Sequence, residues 1–219
     1  MTSTIAEHLA EVRARIAVAA ARASRDPAGI TLLAVSKTKP ADAVEEAYAA
    51  GQRAFGENYA QELEEKGTAL AHLPGIEWHF IGHLQRNKVK TVLRARPVVH
   101  TVDSTRLASE LASRSDARTR VLVQVNVARE PQKSGALPEE VDALVAHVRA
   151  LPALQLVGLM TIPPEGEPET ARPHFRALRE MAERHGLSEL SMGMSADLDV
   201  AIEEGATLVR VGTAIFGAR

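Results

Sequence analysis

The sequence predicts a closed (β/α)₈ barrel, and three observations support this fold. Short apolar runs alternate with longer helical patterns, and eight such runs can be counted. The segments between the runs are mostly long enough for the helical crossovers that parallel strands require. After the eighth run, too few residues remain before Arg219 for an eighth outer helix, and an extra helix at the N-terminus is available to fill that gap.

An open, doubly wound sheet is the alternative fold with the same alternation. That fold would place a glycine-rich phosphate turn after the first strand, whereas the stretch SKTKPAD contains no glycine. No Ser/Gly-rich linker or shift in composition divides the sequence. We therefore predict one barrel domain over residues 1–219.

The first element is a helix that precedes the barrel. Thr4 and Glu7 have the spacing of a capping box, and apolar residues then recur at helical intervals over residues 5–16. This helix should end before Pro27.

The strands follow as short β-branched or apolar runs at intervals of about two dozen residues. Gly51 and Gly205 each follow a helical pattern, at the position where a helix-ending glycine is expected. The runs start near Ile30, Arg53, Glu77, Val98, Arg120, Leu154, Glu189 and Thr207.

The composition is that of an ordinary folded protein and excludes several function classes. Hydrophobic residues make up 45% of the chain but aromatic residues only 3%, so the core must consist of Ala, Val and Leu. The net charge of -2 gives no electrostatic footprint for nucleic acid. The sequence has no cysteine, which excludes disulfides, thiolate nucleophiles and cysteine-ligated metals.

The sequence also predicts a cytoplasmic location. No segment approaches membrane-spanning length, and Glu7 and Glu11 fall within what would have to be the apolar part of a signal peptide. We expect a monomer without a membrane or nucleic-acid partner.

One local cluster is strongly basic. It either holds an anion or forms the solvent-facing side of a helix. Its members are Arg86, Lys88, Lys90, Arg94 and Arg96.

The stretch LLAVSKTKP carries the first candidate functional residue. Lys37 continues the alternation of Leu33 and Val35, so its side chain should leave the strand on the same side as theirs. It is either a lysine that extends into solvent or, in a barrel mouth, a desolvated amine that forms a Schiff base. Pro40 should begin the next helix.

The ends of the last two strands are rich in small and hydroxyl residues. Gly193 and Ser195 precede a helical pattern, and Gly212 and Thr213 follow the eighth strand. Exposed N–H groups, hydroxyl donors and a helix N-terminus suit a phosphate dianion, and barrels frequently hold phosphate after strands seven and eight. The same residues are also typical of ordinary turns.

A Schiff-base lysine and a phosphate cradle together suit pyridoxal phosphate, held by its aldehyde and phosphate ends. Arg210 lies two residues before Gly212, where it can point into the barrel and donate to the pyridine nitrogen. Its alternative role is an ion pair with a neighbouring carboxylate.

Several long motifs occur in a fixed order over nearly the whole chain. They are LLAVSKTKP, FGENYAQE, WHFIGHLQRNK, GLMTIPP and LSMGMSADLDVAIEEGATLVRVGTAIFG. These motifs closely resemble those of the pyridoxal phosphate homeostasis proteins, formerly called proline synthase co-transcribed homologues.

The resemblance implies a barrel like the N-terminal domain of alanine racemase, with pyridoxal 5′-phosphate held as an internal aldimine on Lys37. It implies that Asn58 lies beside the ring and that Arg210 is the partner of the pyridine nitrogen. The phosphate ligands that it implies are Ser195, Gly212 and Thr213.

The resemblance further implies a cofactor reservoir that keeps free pyridoxal phosphate low, with pyridoxal phosphate-dependent apoenzymes as partners and no catalytic residues. A permanently protonated arginine leaves the pyridine nitrogen neutral, which makes the ring a poor electron sink. A weak or narrow amino-acid racemase is the alternative. Racemases need a second acid/base tyrosine from another domain, and only Tyr59 lies near a strand end here.

Two further alternatives are weaker. A Schiff-base aldolase would use the lysine without a cofactor. His79 and His83 have the spacing of a helical zinc pair. However, Gly82 lies between them and a strand ends just before it, so the geometry is wrong for that motif. We therefore expect no metal there, but a polar mouth residue or a core histidine.

Overall fold

The computed structural model describes residues 4–217, and within them the predicted strands close into a barrel. Each strand pairs in parallel with the next, and β8 pairs with β1, so the closed barrel is confirmed over the open sheet. Every strand begins within one residue of its predicted start. The strands are β1 (Thr31–Val35), β2 (Ala54–Glu57), β3 (Glu77–Phe80), β4 (Val98–Val102), β5 (Thr119–Gln124), β6 (Leu154–Met160), β7 (Glu189–Ser191) and β8 (Leu208–Val211).

Helices alternate with the strands as predicted. None of the helices in the described range is long and apolar enough to cross a membrane. The single domain predicted over residues 1–219 includes residues 1–3 and 218–219, which lie outside the described residues. The α-helices are α1 (Ile5–Arg22), α2 (Ala41–Ala49), α3 (Ala60–Ala69), α4 (Val89–Leu93), α5 (Thr105–Arg114), α6 (Val141–Arg149), α7 (Arg172–Arg184), α8 (Leu198–Glu203) and α9 (Thr213–Phe216).

Helix α1 fills the gap in the outer ring. Its N-terminus carries the predicted capping box, in which Thr4 and Glu7 each accept the other's backbone N–H in a hydrogen bond. Nδ1 of His8 lies 2.9 Å from the carbonyl oxygen of Ile215 in the short helix α9, and Arg15 forms a 3.0 Å ion pair with Asp199 of α8. The first helix of the chain thus packs against the last two.

Two glycines end helices in the way the sequence predicts. Gly51 and Gly205 follow α2 and α8 with φ of +85° and +104°, a conformation that a side chain would strain. In each case the glycine N–H and the next N–H bond back to the last turn of the helix, which is a Schellman motif. Pro40 differs from the prediction by one residue. It caps α2 from an extended conformation, with ψ of 163°, and Ala41 is the first helical residue.

Two apolar cores hold the barrel together. The larger one lies between the strands and the outer helices. Because side chains alternate across a strand, residues two apart share a face, and one set fills the barrel interior. The interior set comprises Leu33, Ala54, Ile81, Val98, Leu122, Met160 and Leu208.

Candidate functional site

The predicted site residues lie in or just after four strands, which are neighbours in the order β2, β1, β8 and β7. Asn58 follows β2, and Lys37 follows β1. Arg210 lies in β8, and Ser195 follows β7. Gly212 and Thr213 follow β8, and Thr213 is the first residue of α9. The structure therefore brings all the predicted residues to one side of the same barrel mouth.

Lys37 is partly buried at this mouth. Its strand neighbour Val35 packs against the interior core and pairs with Gly56, so Lys37 and Asn58 each lie two residues beyond a paired position. Within residues 4–217, the Lys37 amine has neither a hydrogen bond nor an ion pair. The amine is thus available to a ligand, although the local geometry alone also fits a lysine that reaches solvent.

The residue before Lys37 is held by a buried ion pair. Lys66 of α3 donates to the carbonyl oxygen of Ser36 at 2.7 Å and to Oε1 of Glu57 at 2.6 Å. The Ser36 hydroxyl donates to the same carboxylate oxygen at 2.7 Å. Ser36 and Glu57 are fully buried and Lys66 is nearly so, which makes these bonds hard for water to replace. Burial raises the pKa of Glu57, and the Lys66 ammonium opposes that rise.

The residue after Lys37 is held by the same helix. Thr38 has φ of +63°, an uncommon conformation for a residue with a side chain, and its N–H donates to Oε2 of Glu62 at 2.7 Å. Glu62 is in turn 3.2 Å from the Lys66 ammonium. Helix α3 therefore fixes the backbone on both sides of Lys37.

Arg210 is buried and faces the barrel interior, two residues after Leu208 of the interior core. It donates to the hydroxyl of Ser191 at 2.8 Å and to the carbonyl oxygen of Thr161 at 2.9 Å. A guanidinium has five N–H donors, so three of them have no acceptor among the described residues. Burial lowers the pKa of Arg210 to about 10, which still leaves the group protonated at neutral pH.

The predicted alternative for Arg210, an ion pair with a neighbouring carboxylate, is not found among the described residues. Its hydroxyl partner Ser191 belongs instead to a polar chain with His100 and His79, which both lie inside the barrel.

Asn58 lies at the edge of a cavity of about 440 Å³, which is also lined by Tyr59, His83 and Lys88. Its side-chain oxygen Oδ1 is buried without a hydrogen-bond partner in the described range. Backbone atoms pack closely here, because a Cβ added to Gly82 would lie 2.0 Å from the carbonyl oxygen of Asn58. Only glycine allows this approach between the ends of β2 and β3.

The predicted phosphate residues lie on loops that other elements hold in place. The carbonyl oxygen of Ser195 accepts a 2.6 Å hydrogen bond from Arg15 of α1. Gly193 has φ of +91° and its carbonyl oxygen accepts the N–H of Arg210 at 3.0 Å, which joins the ends of β7 and β8. A Cβ on Gly212 would lie 3.1 Å from the carbonyl oxygen of Val35, so β8 also packs closely against β1.

Other sequence expectations have different outcomes. The five residues of the basic cluster are all exposed around α4, as expected for the solvent-facing side of a helix, and Arg94 and Arg96 pair with Glu64 and Asp116. His79 is buried inside the barrel, whereas His83 is exposed at its mouth. The described residues contain no group of three or more histidines and carboxylates that could hold a metal ion.

Three residues of this region escaped the sequence interpretation. Lys66 lies three residues after Leu63 and four before Leu70, on the apolar face of α3, and a lysine there was the available signal. His100 and Ser191 lie on inward-facing strand positions, but their roles depend on partners that are distant along the chain.

Comparison with known proteins identifies a family that matches most of the chain. Residues 8–219 match the family described as alanine racemase, N-terminal domain. A protein of Pseudomonas aeruginosa named pyridoxal phosphate homeostasis protein is 52% identical, over 99% of this chain and 96% of its own length. A protein of Escherichia coli with the same name is 48% identical, over 98% of this chain and 97% of its own length.

Solved structures agree with this assignment. PipY of Synechococcus elongatus, solved without pyridoxal phosphate, has a TM-score of 0.87 and 38% identity, covering 98% of this chain and all of its own. The same protein with pyridoxal phosphate bound has a TM-score of 0.84 and 37% identity over the same shares. Alanine racemase of Corynebacterium glutamicum has a TM-score of 0.71 at 17% identity, which shows the shared fold alone, and this chain spans 60% of that protein.

Proposed function

Because the chain belongs to the pyridoxal phosphate homeostasis family, we propose that it binds pyridoxal 5′-phosphate at the barrel mouth and takes part in the homeostasis of this cofactor. Relatives at 52% and 48% identity carry that name, and PipY has been solved with pyridoxal phosphate bound. In this proposal, residues 1–219 form one cofactor-binding domain that works as a monomer in the cytoplasm.

The observation that carries the proposal is a set of unused polar groups that converge on one mouth. The Lys37 amine, Oδ1 of Asn58 and three N–H donors of Arg210 have no partner among residues 4–217. Oδ1 of Asn58 is buried, and a buried polar group without a partner is rare in folded proteins and calls for an explanation. An aldehyde supplies a partner for the Lys37 amine, and a ring nitrogen that accepts a hydrogen bond supplies one for the donors of Arg210.

Lys37 is the residue that we propose for the covalent bond. When bound, pyridoxal phosphate supplies an aldehyde that forms a Schiff base with an amine, and a ring that withdraws electrons from it. The chain's own contribution is to hold the amine between two fixed peptide units, through Lys66 on one side and Glu62 on the other. The proposed phosphate ligands are the hydroxyls of Ser195 and Thr213 and the backbone at Gly212.

Arg210 supports a carrier over a catalyst. A guanidinium with a pKa of about 10 remains protonated at neutral pH, so it donates a hydrogen bond to a ring nitrogen without transferring its proton. An unprotonated ring nitrogen withdraws electrons weakly, which slows carbanion chemistry. We therefore propose storage and delivery to pyridoxal phosphate-dependent apoenzymes, without catalytic turnover.

The covalent site can be tested directly. Purified protein loaded with pyridoxal phosphate should absorb in the visible range, and borohydride reduction should fix the label to the peptide that contains Lys37. Lys37→Ala should remain unlabelled, whereas Lys90→Ala, which changes an exposed lysine of α4, should label like the wild type. Labelling of another residue in the wild type, or full labelling of Lys37→Ala, would overturn the assignment.

The carrier role needs a separate measurement. The loaded protein should leave single-enantiomer amino acids unchanged and should restore activity to a pyridoxal phosphate-dependent apoenzyme. Racemisation by the wild type that is lost in Lys37→Ala would show that the protein is a racemase and not a carrier.

A further inference from the structure

A chain of polar side chains crosses the interior of the barrel, starting from Arg210. Nη1 of Arg210 donates to Oγ of Ser191 at 2.8 Å, and the same oxygen lies 2.8 Å from Nδ1 of His100. Nε2 of His100 lies 2.9 Å from Nδ1 of His79. Nε2 of His79 faces Oε2 of Glu77 at 3.6 Å. Ser191, His100 and His79 are at most 1% exposed, so solvent does not compete for these bonds.

The protons of this chain can be assigned from its first member. Arginine only donates, so Oγ of Ser191 is an acceptor toward it. The remaining partner of the Ser191 hydroxyl among the described residues is Nδ1 of His100, which must therefore accept. His100 then carries its proton on Nε2 and donates to Nδ1 of His79.

The far end of the chain is consistent with this direction. With Nδ1 as an acceptor, His79 carries its proton on Nε2, which has no hydrogen-bond partner in the described range and lies 3.6 Å from the Glu77 carboxylate. The opposite direction would place an unprotonated nitrogen against a carboxylate and leave the Ser191 hydroxyl without an acceptor. All donors thus point away from Arg210.

We propose that Ser191, His100 and His79 are positioning residues for Arg210, which they hold through a one-directional chain of hydrogen bonds between neutral side chains. The direction of the chain follows from the protein alone. Its effect on the ring nitrogen rests on the proposed function.

The neutrality of the chain explains why histidines are used. A carboxylate next to Arg210 would bind the guanidinium in a bidentate pair and occupy two of its donors. Ser191 occupies only one N–H donor of Arg210. Its oxygen lone pair still stabilises the positive charge in the apolar interior, because the dipoles of the two imidazoles align with the hydroxyl. Donors of Arg210 are thereby left for a ligand at the mouth.

The surroundings keep His100 neutral and hold the far end of the chain in place. Burial, together with the positive charges of Arg210 and Arg120, lowers the pKa of His100 well below its usual range. At the amino ends of the strands, Arg120 pairs with Glu77 at 2.6 Å and with Glu189 at 2.7 Å. This ion-pair network fixes the carboxylate toward which the chain points.

The first test needs no cofactor. Nitrogen-15 NMR of the ligand-free protein with labelled histidine should show His79 and His100 as neutral Nε2–H tautomers at neutral pH. The signals are assigned by their loss in His79→Gln and His100→Gln. An Nδ1–H tautomer or an imidazolium at either residue would overturn the chain.

The second test asks whether the chain acts on Arg210. Ser191→Ala removes the link, and we expect roughly 5- to 30-fold weaker binding of pyridoxal phosphate, as for a lost buried hydrogen bond, together with a shifted visible absorption maximum. Ser191→Thr keeps the hydroxyl and should restore both. Thr101→Ala is the matched control, because Thr101 is as buried as its neighbour His100 but its hydroxyl has no partner in the described range.

The two proposals can fail separately. If the wild type binds no pyridoxal phosphate, the proposed function fails, while the tautomers still test the chain. If the wild type binds and Ser191→Ala keeps both the affinity and the absorption maximum, the positioning role is wrong. Circular dichroism of each variant shows that it is folded before its affinity is compared.

Discussion

The ammonium of Lys66 lies 2.7 Å from the carbonyl oxygen of Ser36, so a side chain of the second barrel helix holds the peptide unit next to the proposed cofactor lysine. The same ammonium neutralises Glu57, which is fully buried. Positioning and charge compensation therefore depend on one nitrogen atom.

Replacing Lys66 by methionine should destabilise the protein by about 3–5 kcal/mol, because the Glu57 carboxylate then remains buried without a counter-ion. Denaturant unfolding of the ligand-free protein measures this loss. The double variant Lys66→Met with Glu57→Gln should recover part of it, since no buried charge remains. Equal stability of Lys66→Met and the wild type would contradict this role.

Replacing Gly82 by alanine should disturb the mouth at Asn58. The new Cβ would lie 2.0 Å from the carbonyl oxygen of Asn58, so the backbone has to move. We expect a loss of about 1–3 kcal/mol in the free energy of unfolding and weaker binding of pyridoxal phosphate.

Gly29→Ala is the matched control for this change. A Cβ there meets no atom within 4 Å, so both stability and cofactor binding should be retained. If Gly82→Ala matches this control in a cofactor titration, the close contact does not matter for binding.

Glu77 should contribute to stability in a way that depends on pH. The side chain of His79, 3.6 Å away, and the positive charge of Arg120 outweigh burial and lower the pKa of Glu77 from 4.5 to about 2. A depressed carboxylate pKa stabilises the folded state above pH 4.5, and this contribution is lost as the pH falls toward 2. Because Glu77 is partly exposed, we expect at most about 1 kcal/mol.

Unfolding of wild type and Glu77→Gln in urea, from neutral pH downward, measures this contribution. The difference in free energy of unfolding should be largest above pH 4.5 and shrink below it. Glu11→Gln, at an exposed position of α1, should show no such trend. A constant difference at all pH values would show that the ionisation of Glu77 is not involved.

The buried charge of Arg210 should lower the stability of the ligand-free protein. Burial lowers its pKa from 12.5 to about 10, so the folded state disfavours its charge at neutral pH. Arg210→Met should change the stability of the ligand-free protein little, because the lost hydrogen bonds to Ser191 and Thr161 offset the removal of a buried charge, while cofactor binding falls. Thermal unfolding and a cofactor titration measure the two effects. A large loss of stability without the cofactor would instead make Arg210 a structural residue.

The fold was predictable because each strand and helix carries its own local signal. The start of β3 at Glu77 and the helix-ending Gly51 can be recognised from the residues around them. Pro40 was misplaced by one position, since proline suits both the cap and the first turn of a helix and only the backbone distinguishes the two.

The supporting residues of the site were not predictable in the same way. Lys66 looks like an ordinary helix lysine until the fold brings Ser36 to it, 30 residues away along the chain. His100 and Ser191 are 91 residues apart, and nothing in their local sequence indicates that they meet inside the barrel. Such roles arise from tertiary contacts and have no local pattern.

The packing of α1 against α8 and α9 also orders events during protein synthesis. His8 is translated 207 residues before its partner Ile215, and Arg15 is translated 180 residues before Ser195. Arg210, Gly212 and Thr213 of the proposed site also lie near the end of the chain. In the proposed function, the cofactor site would therefore be complete only after β8 has been translated.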